Sequence, residues 1–398
     1  MKKHCFSFLV MALITGCSAP VSIETTALNE SRGGIVSKGA SQWEEMLRRR
    51  EGWIGADGVY AVALNGVEAP GKADETETLL WFSDNIWGKI NADTLAADWE
   101  MSNNCVAYLK GSEPDASKLQ FHRRQNDKGQ TLSMFEPNTP NAKKGDYYWL
   151  GDGYFNHALD SAIYIFAYRI QNIPGGGIYP FDDVGLSLIA LPNGSRPPFA
   201  NQRQLDVPFF YKNSGGKGKL VFGVAVMANT VGARAPKPDG YIYIYGVRGP
   251  QKELVVARVA EKDFETFSAW RFWNGKDWSD DVHSCVALTS RVSNEMSISF
   301  MEDGRVIAAY QLDTNSPDIM IQVGNTPAGP FQPAKKVWST SQVYEDLDFY
   351  TYNAKAHPHL SKPGELLISY NVNSFDFLDD IKYKPHHLRP RFFTVKYK

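Results

Sequence analysis

Two aspartates are set apart by the residues around them. Asp57 lies in Trp53-Ile-Gly-Ala-Asp57-Gly-Val-Tyr60, and Asp84 in Leu80-Trp-Phe-Ser-Asp84-Asn-Ile-Trp87-Gly88. Each stands among glycine and aromatic residues at the edge of an apolar run. Two carboxylates facing one hollow, with aromatic rings beside them, are the groups that break a glycosidic bond. In the inverting version one acid protonates the leaving oxygen and one carboxylate activates water, about 6.5–9.5 Å apart; a retaining route needs about 5–5.5 Å. The residue types do not say which aspartate is the acid. Both segments also have a plainer reading. Ala56-Asp57-Gly58 is a turn sequence, and Asp84-Asn85 can cap a hairpin.

Further residues could join such a site. Glu295, in Ser293-Asn-Glu295-Met-Ser, precedes an apolar run and offers a third acid, or else a solvated strand end. Asp152 and His157 share the segment Gly151-Asp-Gly-Tyr-Phe-Asn156-His157, with Asp160 close by. Lys355 and His357 are two apart, so on a strand they share a face. His357 is read either as a funnel residue or as a satisfied buried histidine joining two strands. The candidate sugar contacts are Trp87, Asn104, Asp152, His157, Tyr352, Lys355, His357 and Asn371. Trp53, Trp149, Tyr154 and Phe155 could stack on sugar C–H faces, although core packing is the commoner fate of any one ring. No cofactor is expected. His386 and His387 are adjacent and would point to opposite faces of a strand, which makes a poor metal pair. Gly175 to Gly177 lacks the Lys-Ser or Lys-Thr of a phosphate loop.

These side chains need a rigid support, and the chain supplies β-type runs broken by Gly, Pro and Asn turns. Its 398 residues suit one large repetitive β-fold or two ordinary domains. Strand signals fall into five clusters of three to five runs. Repeated four-stranded antiparallel units are the signature of a β-propeller, so an all-β, five-bladed β-propeller of four-stranded blades is expected over residues 42–398. A β-sandwich with appended strands is the competing fold. Met301-Glu-Asp-Gly-Arg305 and Lys362-Pro-Gly-Glu365 are expected to be tight turns. Ser41 to Arg50 is the best short helix, with acids first and arginines last.

Aromatic content is 13%, and the net charge is −2. A nucleic-acid footprint would need a basic face, so that class of partner is excluded. The N-terminus reads as an address. A positive start and a short apolar stretch lead to Leu13-Ile14-Thr15-Gly16-Cys17, which resembles a lipobox; cleavage then makes 1–16 a signal peptide and Cys17 the lipidated residue. Ser18 follows, which favours the outer membrane in a Gram-negative cell. Residues 17–41 read as lipidated cysteine plus flexible tether, and a monomer anchored in the bacterial cell envelope is expected. An ordinary signal peptide is the alternative. With Cys5 and Cys17 assigned to that address, Cys105 and Cys285 remain, as a bridge between adjoining blades or as buried free thiols.

The opening and closing motifs look familiar. Gly-Ala-Asp57-Gly-Val-Tyr, the Asp84 segment and Asn103-Asn104-Cys-Val-Ala resemble the first blade of a bacterial family of five-bladed propellers. That family was long catalogued as a domain of unknown function and includes endo-D-arabinanases. Tyr352-Asn-Ala-Lys355-Ala-His357-Pro-His-Leu-Ser and Leu367-Ile-Ser-Tyr370-Asn371-Val-Asn373 match its end. The architecture is similar, more distantly, to arabinanases, invertases and levansucrases. The resemblance implies acids at the axial mouth on the first two strands, here Asp57 and Asp84. They lie 27 positions apart, a wide gap filled by the polar loop Asn65–Thr78. Some related propellers hold an axial calcium, which nothing in this spacing demands. The expected function is a surface-anchored glycoside hydrolase acting on a polysaccharide, furanose polymers included. The rivals are a non-catalytic glycan-binding lipoprotein and a protein-docking propeller.

Overall fold

The computed structural model describes residues 34–174, 180–346 and 348–397. Cys5, Cys17, Gly175 to Gly177 and nearly all of the stretch read as leader and tether lie outside the described residues. The described chain is a five-bladed β-propeller built of antiparallel sheets. Blade one runs outward through Glu51–Ala63, Glu77–Asn91, Glu100–Lys110 and Leu119–His122. Blade two uses Tyr147–Asn156, Ala162–Asn172, Phe181–Leu191 and Arg203–Asp206. Blade three begins with Leu220–Asn229, and blade four with Met296–Phe300.

Blade five holds Phe349–Ala356, Glu365–Ser374 and Arg391–Lys396, then takes its outermost strand, Val36–Gly39, from the other end of the chain. This closure pairs the first described strand with the last and covers the edge of Arg391–Lys396. It also corrects the expected tether, because Val36–Gly39 belongs to the propeller. The helix is shorter than expected, ending at Met46. The stretch Cys285–Ser290 forms no strand; its Thr289 makes an isolated bridge with Leu254.

Alternating apolar residues on both faces of each sheet explain the ring. Five clusters of buried side chains fill the five seams between blades. Trp81, Tyr148 and Ile165 pack between blades one and two. Phe166, Phe222 and Trp270 pack between two and three. Val224, Tyr245 and Ile298 pack between three and four. Ile321, Ile368 and Phe393 pack between four and five, and Trp53, Leu80 and Phe392 close five against one. Each large ring so buried contributes about 1.5–3 kcal/mol. The two expected turns are present, with Gly304 and Gly364 in the left-handed region. Cys105 and Cys285 are free buried thiols in different seams.

Candidate active site

The inner strands carry the chemistry because they are irregular. Four of the five shift register where they face the axis: near Asp57 in blade one, between Leu150 and Gly153 in blade two, between Phe222 and Ala225 in blade three, and between Tyr352 and Lys355 in blade five. Such bulges break the in-and-out alternation and turn a polar side chain inward. Gly58 follows Asp57 with φ +56°, a conformation that favours glycine. At Gly153 a side chain would come within 2.3 Å of the Tyr164 carbonyl, so the bulge that presents Asp152 needs glycine beside it. Asp84 has φ +36°, strained for a non-glycine residue and opposite the blade-one bulge.

Asp57, Asp152, Glu295 and Lys355, from blades one, two, four and five, meet as one electrostatic group around the axis. The Lys355 ammonium pairs with the Glu295 carboxylate and lies 3.3 Å from the centroid of the Tyr60 ring. Glu295 Oε2 lies 3.6 Å from where a Cβ of Gly58 would stand, beside Asp57. Asp152 accepts hydrogen bonds from Val226 N at 2.7 Å and Gly153 N at 2.9 Å. With Lys355 2% exposed and committed to Glu295, this ring does not fit an axial metal ion. Among the described residues no group of three acids, histidines or cysteines is placed to hold one.

On one side of the ring lie Asp84 and two aromatic groups. Blade two contributes Tyr147, Trp149 and Phe181, with Trp149 and Phe181 edge to face at 4.7 Å. Blade five contributes Tyr350 and Tyr352, joined by the exposed Phe375 at 4.7 Å from Tyr350. Tyr352 donates a 2.6 Å hydrogen bond to Asp57 Oδ2, and Asn373 supports the same phenol at 3.1 Å. Asn103 Nδ2 donates to Asp84 Oδ1 at 3.4 Å. The indole N–H of Trp149 also favours the Asp84 anion, without reaching ordinary hydrogen-bond geometry. A groove of about 550 Å³ opens here between blades one and two, lined by Asn103, Asn172 and the stretches Phe135–Pro137 and Lys143–Tyr147. On the other side a cavity of about 140 Å³ is floored by Asp152, Tyr60 and Lys355 and walled by Ala228, Pro236 and Met301. It does not include Asp57 or Asp84.

The Asp57 and Asp84 carboxyls are only partly exposed and are ringed by protein, and this sets their protonation. Burial pushes Asp57 well above the usual carboxylate range; the charges of Asp84 and Glu295 push it further, against the Tyr352 hydrogen bond. Asp84 is raised only to about 6, burial being opposed by Trp149 and Asn103. Asp152 is raised to about 7, chiefly by burial, against its two backbone donors. Burial and the neighbouring Asp57 charge push the Tyr352 phenol well above its ordinary value, so it remains a donor.

Several sequence candidates stand elsewhere. Trp87 is buried in a seam and donates to Ser102 Oγ at 3.1 Å. Asn104 is saturated, bridging Phe135 N and the carbonyls of Phe135 and Tyr148. The His157 ring packs against Phe155 near Gly66 and Gly232 and lines neither the cavity nor the groove. His357 bonds Ser369 Oγ at 2.8 Å and is held neutral by burial with a pKa of about 3, and it lines the 140 Å³ cavity beside Lys355 as well as joining two strands. Asn371 is wholly buried and grips the blade-one bulge rather than a ligand. Trp53, Tyr154, Phe155 and Tyr370 are core. In the other direction, Tyr147, Tyr350, Phe181 and Phe375 escaped the sequence reading. Tyr147 and Trp149 alternate before Asp152 as Tyr350 and Tyr352 do before Lys355, and that repeat was the available signal.

The chain belongs to the family described as Domain of unknown function (DUF5005), which matches residues 40–397. No curated protein matches it. Among solved structures it is similar to a candidate hydrolase from Bacteroides ovatus ATCC 8483, with 18% identity, a TM-score of 0.67 and 92% of each chain covered. It is also similar to an alpha-L-arabinofuranosidase from Clostridium thermocellum ATCC 27405, with 13% identity, a TM-score of 0.44, and 83% of this chain and 86% of that chain covered. A third is an endo-arabinase from Bacteroides thetaiotaomicron VPI-5482, with 12% identity, a TM-score of 0.39, and 85% and 96% covered. At these identities the first likeness speaks for the fold alone.

Proposed function

We propose that this member of the DUF5005 family is a glycoside hydrolase that cleaves a polysaccharide at the Asp84 mouth of the propeller. One observation carries the reading: Asp57 and Asp84 stand near one aromatic mouth in different surroundings, Asp57 bonded to Tyr352 with the Glu295 charge near it and Asp84 bonded to Asn103, and burial raises both carboxyls, with the Asp84 and Glu295 charges raising Asp57 further. Asp57, pushed higher, keeps its proton and is the general acid. Asp84, near 6, is ionised at neutral pH and is the general base. Tyr352 occupies Asp57 Oδ2, which leaves Oδ1 to carry the transferable proton.

In the step, Asp84 takes a proton from water, whose oxygen attacks the anomeric carbon. The glycosidic C–O bond breaks as Asp57 protonates the leaving oxygen. The product hemiacetal has inverted configuration. Trp149 and Tyr350 stack on sugar C–H faces. The Glu295–Lys355 pair contacts no sugar; its carboxylate charge helps keep Asp57 protonated.

Arabinofuranose polymers are the first substrates to test, on the resemblance of the two end motifs to endo-D-arabinanases. Cys17 carries the lipid and holds the propeller at the cell envelope. Proton NMR of the first product formed from a polysaccharide panel tests the chemistry. An inverted anomer is expected; a retained anomer overturns the assignment of Asp84 as base. Mass spectrometry of the envelope-extracted protein checks the anchor, and an unmodified Cys17 at a mature N-terminus would remove it.

A further inference from the structure

The groove beside Asp84 has a built wall. The loop from Pro137 to Asp146 is pinned from beneath by charge. Asn138 N donates to Gln204 Oε1 at 3.0 Å, Thr139 Oγ1 to Asp206 Oδ1 at 2.7 Å and Asn141 N to Asp206 Oδ2 at 3.0 Å. The buried Arg169 guanidinium joins Asp206 at 3.0 Å and Asp146 at 3.3 Å. Asp146 also accepts Lys143 N at 2.9 Å. Each acid of the groove is thereby spoken for: Asp146 by Arg169, and Glu136 by Arg124 at 2.6 Å.

Two groove residues carry charge without a counter-ion. Lys143 and Lys144 are exposed, and among the described residues neither forms an ion pair. The network thus fixes the backbone that presents two ammonium groups, which lowers the ordering cost of binding. The groove's inner end is continuous with the mouth through Asn103, the partner of Asp84, and Tyr147, whose phenol feels the Asp84 charge. About 550 Å³ is room for sugar units beyond the one being cleaved.

We infer that this groove is a subsite for an acidic polysaccharide, with Lys143 and Lys144 meeting carboxylate or sulfate groups on units adjoining the scissile bond. The inference rests on the hydrolase reading for its register along the chain, but not for the binding itself. It predicts charge-dependent affinity. Two partly screened contacts are expected to give on the order of tenfold.

The test is calorimetry of the whole protein with a uronate oligosaccharide, its carboxyl-reduced neutral counterpart and a sulfated oligosaccharide of equal length. The uronate or the sulfated ligand should bind on the order of tenfold more tightly than the neutral one. Which of the two binds better identifies the anion. The advantage should vanish between about 50 mM and about 500 mM salt. It should vanish in Lys143→Ala/Lys144→Ala and persist in Lys143→Arg/Lys144→Arg. Equal affinity for charged and neutral ligands, or an alanine variant that still discriminates, overturns the inference. Cleavage of neutral glycans with no lysine dependence would end it while leaving the hydrolase reading intact. Lysine-dependent binding without bond cleavage would keep it and end the hydrolase reading.

Discussion

The Tyr352 phenol donates a 2.6 Å hydrogen bond to the carboxylate of Asp57, across the seam that joins the last blade to the first. This bond favours the Asp57 anion and so opposes the burial and like charges that raise its pKa. In Tyr352→Phe that opposition is gone, so Asp57 should hold its proton to still higher pH. The alkaline limb of the kcat/KM profile should move up by about one pH unit, equivalent to about 1.4 kcal/mol. The acid limb, set by Asp84 near 6, should stay where it is. A pH-rate profile checks both limbs, and an unmoved alkaline limb would remove Asp57 from the role of acid.

Asn371 grips the peptide groups on either side of Asp57. Gly58 N donates to its Oδ1 and its Nδ2 donates to the Ala56 carbonyl, both at 3.2 Å. Asn371→Ala leaves two buried backbone groups without partners, at about 1–3 kcal/mol each. Calorimetric unfolding should show a clear loss of stability. Because the bulge then wanders, kcat should fall more than KM rises. A variant of normal stability but altered KM alone would mean that Asn371 contacts substrate.

The Glu295–Lys355 pair is buried, and its two halves are unequal in consequence. Lys355→Met strands a carboxylate beside Asp57 and should destabilise the fold by about 3–5 kcal/mol. Glu295→Gln removes one of the charges that raise Asp57 and should bring the alkaline limb down. Denaturant titration and a pH-rate profile read these two effects separately. If both variants merely unfold alike, the pair is structural only.

Stability should fall as pH rises through the weakly acid range. Asp84 and Asp152 are raised to about 6 and about 7 in the folded state, against about 3.9 in an unfolded chain. The folded protein therefore holds more protons than the unfolded one between about pH 4 and about pH 7, and loses stability across that window as it must ionise them. Melting temperature against pH measures this. The decline should be shallower in Asp84→Asn than in the unmodified chain; parallel curves would show that Asp84 titrates normally.

How much of this could be read from residues follows from what periodicity can and cannot encode. The blades were legible because each inner and second strand is a strongly apolar run bounded by turn residues, as in Leu220–Asn229. Two outer strands were not: Arg203–Asp206 and Lys335–Ser339 are short and polar, and gain their identity only by pairing. Val36–Gly39 was read as tether because its partner, Arg391–Lys396, lies at the opposite end of the chain. Asp57 and Asp84 stood out through Gly and aromatic neighbours. Asn104 and Asn371 did too, but an asparagine that saturates buried peptides and one that binds sugar share a sequence signature. Bulges decided which side chains reach the axis, and register slips leave no mark in composition.

The most direct measurement is reducing-end release from a polysaccharide panel by the unmodified protein and by Asp57→Asn and Asp84→Asn. The unmodified chain is expected to cleave at least one glycan, and each variant, still folded by circular dichroism, is expected to lose on the order of a hundredfold to ten-thousandfold in kcat. Full turnover by either variant would contradict the assignment of these two carboxyls as the acid and base.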